Sequence, residues 1–195
     1  MTFGRAAGFA AVCGAAALLS LALARPPARA QSSGSGYTFS GGTAAQRATV
    51  RAALAASGFD WSLVPARVTI HILPRGGCAA ARGEIWLDSR TLAAGREAWG
   101  IVQHEYAHEV DFFLLDSARR ARLGRLLGAK TWWSDGRLRH DRYGAERFAS
   151  TLAYAYWPSR DNVLIRDARA EATAMRPAAF RRALRHMIDP ARAGG

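Results

Sequence analysis

An α+β fold is predicted, with a small antiparallel or mixed sheet packed on a central helix and a helical C-terminal half. Three observations carry it. Two short segments with strand character, 67–73 and 84–88, both precede residue 97. A long apolar stripe at helical spacing runs over 97–115. The periodic segments after it are all helical. Half of the 195 residues are apolar, enough for one globular core.

The first thirty residues differ from the rest. Arg5 forms a short positive region, residues 6–24 carry no charge, and Arg25-Pro26-Pro27 breaks the run. Ala28-Arg29-Ala30 then offers a small-residue cleavage site before Gln31. This is the layout of a secretory signal peptide over residues 1–30, cleaved after Ala30, and it predicts a secreted protein. The uncharged run is also just long enough to span a bilayer, so an uncleaved N-terminal membrane anchor is the alternative. Residues 31–42, rich in Gly and Ser, read as a flexible linker. Residues 43–190 are then a single domain.

Within that domain, Thr43 is a candidate N-cap for a helix over 43–57, with Val50 and Leu54 on its apolar stripe and Gly58 as its stop. Residues 67–73 alternate and are β-branched, which predicts a strand with His71 on its polar face. Pro74 to Gly83 read as a loop, and Glu84-Ile85-Trp86-Leu87-Asp88 as a second strand. Trp99, Val102, Tyr106, Val110 and Phe113 mark the core stripe of the 97–115 helix. Helices over 117–127, 144–156, 162–175 and 177–188 follow, the first ended by Gly128 and the second by Pro158.

The net charge is +12; losing Arg5, Arg25 and Arg29 with the leader leaves 24 basic and 15 acidic residues, a net +9. Such a surface suits an anionic cell-wall or lipid surface. No nucleic-acid motif or aromatic–basic interleaving is present, so no nucleic-acid partner is expected. Cys13 leaves with the leader and Cys78 remains without a second cysteine, so no intramolecular disulfide is expected. Cys78 reads as a small buried thiol, with occupation of a metal's open position as the sharper alternative.

The chemistry concentrates at His104-Glu105-Tyr106-Ala107-His108. Helical residues four apart share a face, so both imidazoles can converge on one Zn²⁺ while Glu105 serves a bound water as general base. A hydrolytic zinc needs a third protein ligand and an open position. Asp111 shares the face of the histidines but lies too far along the axis to ligate easily, which suits it to orienting a ligand imidazole. Glu146 is the better third ligand: it sits on the next well-formed helix, between Ala145 and Phe148, and Glu is seldom buried unless paired or metal-bound. Tyr143, one turn earlier, is a candidate oxyanion donor, with His140 as a second.

These residues carry a resemblance. His104-Glu105-Tyr106-Ala107-His108-Glu109-Val110-Asp111, followed by Tyr143-Gly144-Ala145-Glu146-Arg147-Phe148-Ala149, resembles the zincin metallopeptidases, and among them the catalytic domain of anthrax lethal factor and its secreted relatives. The resemblance covers roughly residues 67–157. It implies a zincin-like domain with His104, His108 and Glu146 as zinc ligands, Glu105 as general base, Tyr143 as transition-state donor and a protein or peptide as substrate. Two features depart from the pattern. Tyr143 stands only three residues before Glu146, and Ser150 occupies the place where the family often has another Glu. An extended substrate is expected to pair with an edge strand, for which 84–88 is the candidate. The alternative is a catalytically silent binding protein on the same scaffold, although the expected catalytic residue types are present.

Overall fold

The computed structural model describes residues 36–165 and 171–188. The signal-peptide reading of residues 1–30 therefore lies outside the described residues, as does the linker over 31–35. The architecture is α+β. Strands β1 (Gly36–Gly41), β2 (Arg67–Leu73), β3 (Ala79–Ala81) and β4 (Glu84–Asp88) form a mixed sheet in the order β1-β2-β4-β3. β1, β2 and β4 are parallel, and β3 runs antiparallel to β4. Six helices accompany the sheet among the described residues: α1 (Ala44–Ala56), α2 (Ser89–Leu92), α3 (Trp99–Leu114), α4 (Ser117–Leu127), α5 (Gly144–Tyr156) and α6 (Pro177–Ile188). None of them is long and apolar enough to cross a membrane.

Local chemistry sets most boundaries. Thr43 and Gln46 form a reciprocal capping box at the start of α1. The Asp116 carboxylate accepts from Arg119 N–H at 2.8 Å to open α4, and Gly128, at φ +68°, closes it in the left-handed region. Period-two burial fixes the sheet's core face: Val68, Ile70 and Ile72 of β2 meet Ile85 and Leu87 of β4 in one cluster. His71 lies on the other face, stacked on Trp86 at 5.4 Å and away from the motif histidines.

Four expectations need correction. Residues 36–41 are not linker but β1, which pairs with β2 from Gly36↔Arg67 to Gly41↔Ile72. Its glycines and serine conceal an alternating Tyr37 and Phe39 that pack on the core, and neighbouring strand pairing supplies what propensity lacks. Residues 79–81 are not loop but β3; three alanines carry little strand signal and are held by pairing with Trp86, Ile85 and Glu84. β4 is consequently an interior strand; the sheet's edges are β1 and β3, and β3, not 84–88, is the edge beside the motif histidines. Finally, 162–175 is not one helix. It contains 3₁₀ turns at Val163–Ile165 and Glu171–Thr173, and residues 166–170 lie outside the described residues.

α3 is the hub, in contact with α1, α5 and β3. Val102, Tyr106 and Val110 bury on its sheet side. On the other side His104 and His108 are also buried, because α5 lies across them. Ala149 and Ala153 of α5 are fully buried, and small side chains at such positions let helices approach closely. α6 backs α5 through Phe180 and Leu184.

Candidate metal centre

α3 and α5 together build a three-donor cluster. His104 Nε2 and His108 Nε2 lie 3.2 Å apart, and Glu146 Oε2 lies 3.2 Å from the first and 3.5 Å from the second. Bonds of about 2.05 Å to one tetrahedral ion would place donor atoms roughly 3.3 Å apart, so this triangle matches one face of such a site. The electrostatics agree. Burial opposes ionisation of Glu146, yet hydrogen bonds from His104, His108 and His140 hold its carboxyl far below the usual range. Burial likewise opposes charge on His108, and the bond and charge of Glu146 raise it nevertheless. The cluster thus favours positive charge among its nitrogens and oxygen, as a divalent ion supplies.

Glu105 follows His104 on α3 and lines the clefts on both sides of the cluster, one of about 320 Å³ and one of about 400 Å³. It is 6% exposed. Burial raises its pKa, against the opposing charges of His104 and His108. A carboxylate raised toward neutrality suits proton shuttling.

The imidazole of His104 is oriented by a relay that the sequence reading lacked. Its Nδ1 lies 2.9 Å from Ser150 Oγ, and Ser150 donates to Glu171 Oε2 at 2.9 Å. With Nδ1–H given to Ser150, Nε2 would release its proton to present a lone pair when a metal binds. Ser150 is one turn beyond Glu146, where a helper carboxylate was expected and missing; Glu171 supplies that carboxylate from a later 3₁₀ turn. Glu171 also holds His140 Nδ1 at 2.9 Å, while His140 Nε2 sits 2.9 Å from Glu146. These two carboxylates, Glu146 foremost, push the His140 pKa up to about 10, so its imidazole is cationic at neutral pH. The one signal for Glu171 was a lone acid between Ala170 and Ala172, the same kind of context that singled out Glu146.

Two residues expected to serve the site have their polar atoms bonded elsewhere. Tyr143 is only 2% exposed and lines neither cleft. Its hydroxyl donates to Asp135 at 3.0 Å and accepts from Leu138 N–H at 2.8 Å, so it ties down the 135–138 turn instead of facing a substrate. The short spacing is the reason: Tyr143 is the N-cap of α5, pointing back along the preceding loop. Gly144 beside it permits the loop's close approach, since a Cβ there would lie 2.5 Å from the Trp132 ring. Asp111 is fully buried, but its carboxylate accepts from Arg120 Nε at 2.7 Å and Trp132 Nε1 at 2.8 Å rather than from a ligand imidazole. Its position near the end of α3 brings it to α4 and the following loop first. Its charge still favours protonation of His108.

Cys78 lines the larger cleft, with its Sγ accepting from Asp88 N–H at 3.5 Å. Burial raises its pKa, against the hydrogen bond from Asp88 N–H.

The fold and site together define an α+β protein with a His-His-Glu cluster spaced for one metal ion. No family model matches the chain, and no curated protein or solved structure is similar to it.

Proposed function

We propose that this chain is a secreted zinc-dependent endopeptidase of the zincin type, hydrolysing peptide bonds between α3 and the β3 edge. The convergence of His104, His108 and Glu146, with Glu105 beside them, supports this reading most directly. Two imidazoles and a carboxylate are a hydrolytic zinc donor set. Bound zinc would supply an acidified water and a Lewis acid for the scissile carbonyl.

The chain's own residues do the rest. Glu105 accepts the proton of the attacking water and returns it to the leaving amine. His140, which borders the cluster and both clefts, takes the oxyanion-donor role. Ser150 and Glu171 hold His104 in the ligating tautomer. β3 offers a backbone edge beside the cluster for an extended peptide, through Ala79 and Ala80.

The test is peptide hydrolysis by the zinc-loaded mature chain and two variants. Glu105→Gln is expected to keep zinc and lose about 10²- to 10⁴-fold in rate. Glu146→Ala is expected to weaken zinc affinity. Full activity in the first variant removes Glu105 from the mechanism, and unchanged affinity in the second removes Glu146 from the ligand set.

A further inference from the structure

Beyond the metal cluster, the larger cleft does not end at a wall. Trp133 lines it on one side and also lines a second hollow of about 410 Å³. Among the residues bounding that hollow are Ser117, Arg120, Arg125, Lys130 and Trp132, and no acidic side chain among the described residues lines it. Trp133 therefore borders both the cleft and the hollow.

Trp133 is 45% exposed, unusual for an indole, yet it is not loose. Its ring stacks on Phe112 at 5.8 Å, and the Arg120 guanidinium lies 4.9 Å from its centroid. Arg120 is itself anchored on Asp111. The junction is thus a fixed aromatic surface. Beyond it, the charge of Arg120 is balanced by Asp111, whereas Arg125 and Lys130 are exposed and have no carboxylate partner among the described residues. α4 adds Arg122 to their field, since Arg119 pairs with Asp116 and Arg120 with Asp111. The smaller cleft on the other side of the cluster differs: Arg139 and His140 there face Asp141 and Glu171.

We propose that the groove from the metal cluster past Phe112 and Trp133 to Arg125 and Lys130 binds an acidic segment of the peptide substrate. This rests on the endopeptidase reading and names the substrate class for it. An apolar occupant would bury two cations without compensation. A carboxylate-bearing chain pairs them, and the aromatic junction takes its intervening side chains. Because the opposite cleft has mixed charge, the acidic preference lies on one side of the scissile bond only.

The experiment has two arms, each on the zinc-loaded mature chain. In the first, a peptide library is cleaved and the products sequenced. Asp and Glu are expected to be enriched on one side of the cleavage point, and Arg125→Glu combined with Lys130→Glu is expected to abolish or reverse that enrichment. In the second, the Glu105→Gln variant is titrated with fluorescent decapeptides of alternating Ala–Glu or Ala–Lys. The acidic probe is expected to bind more tightly, to weaken with added salt, and to lose roughly tenfold in affinity on charge reversal. A charge-blind cleavage profile, an acidic preference that survives charge reversal, or equal binding of the two probes overturns the proposal. If no peptide is cleaved while the acidic probe still binds through Arg125 and Lys130, the groove stands as an acidic-peptide site and the endopeptidase reading fails.

Discussion

Glu171 and Glu109 place one half-buried and one fully buried carboxylate on opposite sides of α3, with different consequences. Glu171 acts on the cluster through Ser150 and His140, each at 2.9 Å. Glu171→Ala is expected to weaken zinc binding about 10- to 100-fold, read by competition with a chelator, as for other carboxylates behind a ligand imidazole. Glu171→Gln keeps one acceptor and is expected to recover part of that loss. Equal affinity in all three proteins would exclude the relay. Glu109 faces away, fully buried, with one oxygen accepting Gly83 N–H at 2.8 Å and the other without a partner. Burial pushes its pKa to about 7 from an ordinary 4.5. Between those values the folded protein keeps a proton that the unfolded chain releases, so this group's contribution to stability falls as pH rises and levels off above about 7. The stability difference between the wild type and Glu109→Gln, followed by melting of metal-free protein across that window, is expected to shift steadily against the wild type. A pH-independent difference would show that Glu109 does not titrate there.

At the scale of elements, β3 is where the structure adds most. Arg82 and Gly83 make a two-residue turn, with Gly83 at φ +84°, so Ala81↔Glu84 is the hydrogen-bonded closing pair. Alternation then turns the N–H and C=O of Ala80 toward the free edge, beside the larger cleft. Ala80→Pro removes that donor without deleting a bond of the ladder. The variant is expected to raise KM for extended peptides by about tenfold, the loss of one or two backbone bonds, while zinc affinity is retained. An unchanged KM would place the substrate elsewhere. The hydrogen bond from Gly83 to Glu109 joins this hairpin to α3 and so sets the height of the edge over the histidines.

For the molecule as a whole, a metal held by His104, His108 and Glu146 would act as a clasp between α3 and α5. A ligand bound only by the folded state stabilises it by about 2.7 kcal/mol at a hundredfold excess over its Kd. For a domain of this size that corresponds to a rise in Tm of roughly 5 to 10 °C. Adding zinc to chelator-treated protein is expected to produce this shift in the wild type and to fail in His104→Ala. An identical shift in both would mean that zinc binds somewhere else.

Legibility from sequence followed the range of the interactions. β2, β4, α4, α5 and α6 stand where periodicity and caps put them, because each signal lies within a few residues of the element it bounds. The spacing of His104, Glu105 and His108 was enough to place the imidazoles on one helical face, and an isolated Glu146 in an apolar helix pointed to its burial. Tertiary structure alone decided the rest. β1 exists through pairing with a strand distant in sequence, β3 is three alanines held only by pairing with β4, Tyr143 and Asp111 were claimed by a loop and by α4, and Glu171 reached the cluster across a sequence gap of 21 residues from Ser150. Helical periodicity is a property of one backbone segment, whereas the partner of a carboxylate depends on which segments packing brings within about 3 Å.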